Sequence, residues 1–156
     1  MTEKPVAESL LPRRPSNVLV VDTNIILSAA LGRRSVSVFD VISGRRSIAT
    51  SARVAEEVRR VLGGVPDLPV VALARAEAIL AGIDVIEAVN YLPRIESAAR
   101  ALSDAVASRN GSTADAHVLA CAWLLDADIW SHDRDFAGTG WPSWSNANLR
   151  RSLDAP

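Results

Sequence analysis

Lysine is almost absent: Lys4 is the only one in 156 residues, and it stands close to the N-terminus. A site in the body of the chain therefore cannot rest on a lysine. Cysteine is as scarce. Cys121 stands alone, which excludes an intrachain disulfide and a cysteine-rich zinc site. Its neighbours, "VLACAWLL", make it a small buried hydrophobe. No apolar run is long enough to span a bilayer, and "MTEKPVAESLLPRRPS" lacks the apolar core and cleavage site of a leader. The expected location is the cytoplasm. Repeats and low-complexity stretches are missing too. The formal net charge is −1, so overall electrostatics do not announce a nucleic-acid partner.

What is present suits one domain. Hydrophobic residues make up 49%, enough for a real core. Positive charge is nearly all arginine, with adjacent pairs at Arg13–Arg14, Arg33–Arg34, Arg45–Arg46, Arg59–Arg60 and Arg150–Arg151. Guanidinium forks match phosphate geometry, although a high-GC genome also favours arginine. The expected division is a loose arm over 1–16, a globular domain over 17–150 and a short tail over 151–156.

Apolar patterning sets out the elements. "NVLVV" reads as a buried parallel strand, and "TNIILSAAL" as a helix stopping at Gly32. "SVSVFDVIS" is a second helix, ended by Gly44. "SIAT" is a weak strand, followed by a helix over about Ala52 to Leu62. "PVVALARAEAILAG" is helical and "IDVIEAV" is a strand. "PRIESAARALSDAVAS" is a helix with proline near its start. "NGST" is a loop. "ADAHVLACAWLL" is a helix apolar almost all round, hence deeply buried. "ADIWS" is a strand, and "HDRDFAGTGWPSW" is a loop rich in turn residues. Strands alternating with helices predict an α/β fold, with a mostly parallel sheet flanked by helices.

Parallel strands send their carboxyl ends to one edge, where ligands bind. Asp22 follows the first strand and Asp133 follows "DIWS", so both carboxylates emerge at that edge if both strands are central. Each has a structural reading as well: Asp22 as a helix N-cap, Asp133 as a turn residue. After "SIAT", Val54, Val58, Val61 and Leu62 form one apolar helical stripe. Glu57 lies on its flank and leans toward a crevice, while Glu56 lies nearly opposite and faces water. Glu57 otherwise is a solvated acid paired with Arg53 or Arg60. Asp115 opens the most hydrophobic helix, as its cap or as a rigidly held ligand. His117, on the same helix, reads as a packed or hydrogen-bonded side chain.

Four carboxylates gathered without lysine repel one another. A divalent cation removes the conflict, and an oxygen-only site selects a hard ion, Mg²⁺ or Mn²⁺. Such ions activate water and neutralise a phosphoryl group during in-line displacement.

In this order the motifs resemble the PIN-domain nucleases, a family that includes the VapC-type toxins of bacterial toxin–antitoxin pairs. "VLVVDTNIILSAAL" is similar to the family's first strand and helix, with Asp22 as first acid and Thr23 and Asn24 as its polar supports. "IATSARVAEEVRRVL" resembles the second motif, and counting from Ser51 lands on Glu57. "ADAHVLACAWLLDADIWSHDRDF" resembles the third and fourth together. Asp115 takes the third position and Asp133 the fourth. Ser131 stands where the family has Thr or Ser, and Asp135 is a further, supporting acid. The tail "FAGTGWPSW" resembles one subgroup. Relatives often carry extra acids before the third; "RNGSTA" has none, which leaves one or two metal ions open. The resemblance implies a three-layer PIN fold and a metal-dependent ribonuclease acting on single-stranded RNA. It also implies a homodimer and, for the toxins, an antitoxin partner.

A haloacid-dehalogenase phosphatase needs a second Asp two residues after the first and a lysine; here Asn24 holds that position. A response-regulator receiver needs a lysine after a late strand, and "DIWSHD" lacks it. The rival of another class is a non-catalytic PIN-like module that binds RNA or protein. It normally has lost an acid, and all four are present. Trp123 and Trp130 read as core. Trp141 and Trp144 read as packing residues in preference to base-stacking ones.

Overall fold

In the computed structural model, residues 13–32, 37–105 and 113–154 are described. The first part of the expected arm, the Arg33–Arg34 pair and the end of the helix expected to run through "SDAVAS" lie outside them.

The chain order is β1 (Val18–Val21), α1 (Thr23–Leu31), α2 (Val38–Ser43), β2 (Ser47–Ser51), α3 (Ala52–Gly63), α4 (Val70–Ala81), β3 (Asp84–Ile86) and α5 (Ala88–Ser103). A 3-10 turn, Thr113–Asp115, leads into α6 (Ala116–Leu125). Then come β4 (Asp128–Trp130), α7 (Arg134–Gly138), β5 (Ser143–Trp144) and α8 (Asn146–Asp154). The strands form one sheet in the order β3-β2-β1-β4-β5, and every pairing is parallel. The expected α/β class holds.

Strand order reverses between β1 and β4. Their carboxyl ends therefore part around a crevice, the usual ligand position of an open parallel sheet. Val21 pairs with Trp130, so the residues that follow, Asp22 and Ser131, are neighbours.

The core follows from the apolar runs. Leu19, Val20 and Val21 are fully buried, as central parallel strands require. Helix α6 packs on β1, β2 and β4, and α5 packs along it. Every residue from Ala116 to Ala122 is buried. Each large apolar side chain so buried contributes about 1.5–3 kcal/mol. No helix among the described residues is long and apolar enough to cross a membrane.

Several expected boundaries move. Helix α5 begins at Ala88, within the run expected as strand, and Pro93 lies inside the helix instead of near its start. That proline removes one helical hydrogen bond. The buried stripe of Tyr91, Ala98 and Leu102 outweighs the loss. The loop expected after Asp133 contains α7 and the two-residue strand β5, and α8 follows. The boundary expected at residue 150 falls inside α8, where Leu149 and Leu153 are buried.

The end of the expected arm is fastened. The Ser16 backbone N–H donates to Asp128 Oδ2, the Asp128 N–H donates to Ser16 Oγ, and Arg13 pairs with Asp128 Oδ1 at 3.3 Å. Pro15 is buried. Trp144 donates to the same carboxylate and Trp141 donates to the Ala127 carbonyl, both at 2.8 Å. Both indoles therefore pack at the amino end of β4, away from the crevice. Other arginines also face protein groups: Arg59 holds Glu77 by two nitrogens, and Arg45 approaches Asp154. Exposed pairs of this kind contribute at most about 1 kcal/mol.

Candidate active site

Asp22 leaves β1 with its backbone N–H on the Trp130 carbonyl. One carboxylate oxygen accepts from the Ile25 N–H at 3.2 Å and so caps α1. The other accepts from the Ser131 hydroxyl. Cap and crevice residue are thus one residue, because a carboxylate has two oxygens to share. Asp22 is only 7% exposed. Burial raises its pKa, the bonds from Ser131 and Ile25 oppose that rise, and the Asp133 charge adds to it.

Ser131 joins two acids. Its hydroxyl donates to Asp22 and accepts from the Asp133 N–H at 2.9 Å. Asp133 in turn caps the short α7, accepting from the Asp135 N–H at 2.9 Å. The turn reading of Asp133 therefore holds beside its place at the crevice.

Glu57 sits on α3 half-buried, with Glu56 beside it exposed. The helix starts after Ser51, whose hydroxyl accepts from the Val54 N–H and fixes the helical phase. Thr23 donates to Glu57 Oε2 at 2.9 Å. This corrects the expectation that Thr23 supports Asp22: the first residue of α1 reaches across to α3. Asn24 points elsewhere. It is exposed, and no hydrogen bond ties its side chain to another described residue.

Asp115 ends the 3-10 turn and makes no side-chain cap bond to α6. Its carboxyl is pushed up to about 6. Burial is the largest cause, followed by the charges of Asp133, Asp22, Glu57 and Asp135. The Asp115 carboxyl therefore lies near enough to the acids of three other segments to feel their charge.

The sequence model of the PIN domain matches residues 20–154. The chain belongs to the PIN-domain family. Its fold resembles that in the crystal structure of VapBC2 from Rickettsia felis bound to a DNA fragment from their promoter. The TM-score is 0.61 at 12% identity, covering 82% of this chain and 98% of that one. It also resembles FitAcB from Neisseria gonorrhoeae, with a TM-score of 0.57 at 13% identity, covering 84% and 99%. At such identities the likeness is one of fold. Comparison with curated proteins gives no match.

The acids of this PIN domain share one electrostatic environment without closing on one point. No three His, Cys, Asp or Glu side chains among the described residues are grouped closely enough to hold an ion as they stand. Like charges hold apart. The donor chemistry nevertheless fits a hard divalent cation. The cluster offers carboxylate and hydroxyl oxygens only, and the Asp115 carboxylate is not spent on capping α6.

His117 is packed, as its surroundings in the sequence suggest. It is 3% exposed, with Nδ1 at 2.7 Å from Ser51 Oγ and the Ala114 backbone also within bonding reach of the ring. Burial, helped by Arg53, lowers its pKa to about 4.

Asp115 and His117 oppose each other in their effect on stability. Folded Asp115 keeps a proton up to about pH 6, against 3.8 ordinarily, so its contribution to stability grows as pH falls through that window. Folded His117 refuses a proton down to about pH 4 that the unfolded chain binds below 6.5, so its contribution shrinks over nearly the same range. Asp115→Asn removes the first and leaves the second. In EDTA, its melting temperature is expected to drop more steeply between pH 7 and pH 5 than the parent's. Parallel slopes in thermal melts would show that Asp115 is not perturbed as described.

Proposed function

We propose that this PIN domain is a Mg²⁺- or Mn²⁺-dependent endoribonuclease that cuts single-stranded RNA, and that it acts as the toxin of a toxin–antitoxin pair. The observation that carries the nuclease reading is the linked acid set: Ser131 bonds both the Asp22 carboxylate and the Asp133 N–H, Thr23 beside Asp22 bonds Glu57, and Asp115 stands near enough to feel their charges. Holding so much like charge in one crevice costs stability unless a cation is to be bound there.

Asp22, Glu57, Asp115 and Asp133 would hold the ion, with Asp135 behind Asp133. When bound, such an ion activates water and offsets charge on the phosphoryl group under attack. The chain's own part is positioning. Ser131 fixes the spacing of Asp22 and Asp133 through one hydroxyl, and Thr23 fixes Glu57. Asp22 is further immobilised by capping α1. Asp22 would then be held at the end of a buried strand, Glu57 in the second turn of α3, and Asp115 and Asp133 where α6 and α7 begin, rigid elements of the kind a precise site requires.

The toxin reading rests on the sequence resemblance to VapC-type toxins and on the fold shared with the VapBC2 and FitAcB structures. It carries an antitoxin protein and a homodimer as expected partners, and the cytoplasm as the place of action.

The purified protein is expected to cleave single-stranded RNA with Mg²⁺ or Mn²⁺ and to stop in excess EDTA. Cleavage that persists undiminished in EDTA would sink the metal mechanism. RNA bound but never cut, in either metal, would favour the non-catalytic module.

A further inference from the structure

A second groove adjoins the acids. It lies where the amino-terminal ends of α3, α5 and α6 meet, with a volume of about 410 Å³. That is within the range of small-ligand pockets, roughly 300–1,000 Å³. Arg53, Glu56 and Ala114 line both this groove and a smaller cleft that reaches Glu57, Arg60 and Asp115. The groove is thus continuous with the crevice where a scissile phosphate would lie.

Its walls are of two kinds. Tyr91, Leu92 and Ile95 of α5 give an apolar side, and Leu92 is 57% exposed at the surface. Arg53 and Glu56 give a charged rim, and Arg53 makes no ion pair among the described residues. His117 lines the same groove, buried and held by Ser51 through Nδ1. An apolar slot beside a free guanidinium and a carboxylate suits a nucleotide: base in the slot, phosphate on the arginine.

We propose that this groove is a base-binding subsite that holds one unpaired guanine next to the cut. The choice of base comes from Glu56. An ionised carboxylate only accepts hydrogen bonds. Guanine alone offers two adjacent N–H donors, N1–H and the N2 amino group, on its Watson–Crick edge. Cytosine and adenine place a ring nitrogen lone pair beside their single amino group, and uracil sets its one N–H between two carbonyls. Those lone pairs would face the carboxylate. The inference rests on the ribonuclease reading and adds its selectivity.

Two measurements test it. In the first, random-sequence RNA is cut and the products are sequenced. The wild type is expected to favour guanine at one position beside the cut by roughly ten- to hundredfold, the range for a good bidentate base contact. Glu56→Gln should bring that ratio to about twofold or less, because the amide replaces one acceptor by a donor. Leu92→Ala should weaken the ratio without changing the preferred base. Glu56 and Leu92 are both exposed, so neither change threatens the fold. In the second, GMP, CMP, AMP and UMP are titrated in EDTA while the Leu92 and Ile95 methyl signals are followed by NMR. GMP should bind tightest, and Glu56→Gln should abolish that advantage. A guanine ratio near one in the wild type, or one unchanged in both variants, overturns the subsite and leaves the groove to a protein side chain. If the wild type cuts no RNA, the ribonuclease reading fails, and the nucleotide titration alone decides: GMP preference lost in Glu56→Gln supports the subsite, equal affinities overturn it.

Discussion

Asp22→Asn is expected to slow RNA cleavage by about a hundredfold or more, the scale of several kcal/mol of lost charge stabilisation, and yet to leave the metal-free protein as stable as the parent or more so. The two halves come from the same carboxylate. Its charge is what a cation would bind, and asparagine has none. Its shape is what α1 needs, and asparagine keeps it: the amide oxygen still accepts from the Ile25 N–H, and Asn is as good an N-cap as Asp. The Ser131 hydroxyl must then turn from donating to accepting. It already accepts from the Asp133 N–H, and a hydroxyl has a second lone pair to spare. Against this small adjustment stands the relief of a buried charge. Burial raises the pKa of Asp22, and the Asp133 charge raises it further, so the folded state is better off with a neutral group there. Added Mn²⁺ should raise the parent's melting temperature and raise the variant's far less, since only a ligand that binds the native state stabilises it. Thermal melts of both proteins with and without Mn²⁺ read this directly. A variant that melts well below the parent in EDTA would make Asp22 chiefly a structural cap, and cleavage near the parental rate would remove it from the ion's ligands.

How far such detail is legible in the sequence depends on the length scale of the signal. The central strand "VLVV" and the helix "AHVLACAWLL" announce themselves, because burial on all sides leaves no polar residue to blur the run. The acids at Asp22 and Asp133 could be picked out next, since Asp22 directly follows β1, Asp133 comes three residues after β4, and parallel strands end at a common edge. Elements of two to five residues are another matter. Strand β5 is Ser143–Trp144, too short to show a period of two, and Pro142 beside it reads as a turn. Helix α8 did leave a trace in Leu149 and Leu153, four residues apart, and its Asn and Ser neighbours hid it. The start of α5 was hidden by the apolar run "DVIEAV", in which no side chain caps the helix. Contacts between segments were beyond reach altogether. Thr23 follows Asp22 in the chain, which suggests that the two cooperate, but its hydroxyl turns to Glu57, 34 residues on. The groove above α5 had a faint local sign in Arg53, four residues before Glu57 on one helical face. Its other wall comes from Tyr91, Leu92 and Ile95, which no spacing rule ties to that motif.

Neighbouring glutamates of α3 offer the second large effect. Glu57→Gln is expected to reduce cleavage by about a hundredfold or more at every RNA sequence, whereas Glu56→Gln is expected to reduce it by about tenfold and only where guanine lies beside the cut. Adjacent residues on a helix point about 100° apart, so they cannot serve one point in space. Val54, Val58 and Leu62 are buried and set the inner face; Glu57 is half-buried on its flank, and Glu56 is exposed. The Thr23 hydroxyl holds the Glu57 carboxylate toward the acids, and Asp115 registers its charge. Glutamine preserves that bond, since its amide oxygen can accept from Thr23, so the fold is spared and only the charge is lost. Arg60 stands 3.9 Å from the other Glu57 oxygen, an exposed contact too loose to explain a large loss. The two variants therefore separate metal holding from base selection by the sequence dependence of the loss, not merely by its size. Rates on a guanine-containing oligonucleotide and on one without guanine decide the matter. A Glu57→Gln loss confined to one sequence would move Glu57 from the ion to the substrate. A Glu56→Gln loss equal on both would mean that Glu56 also acts on the ion, and that the groove and the acid cluster are one site.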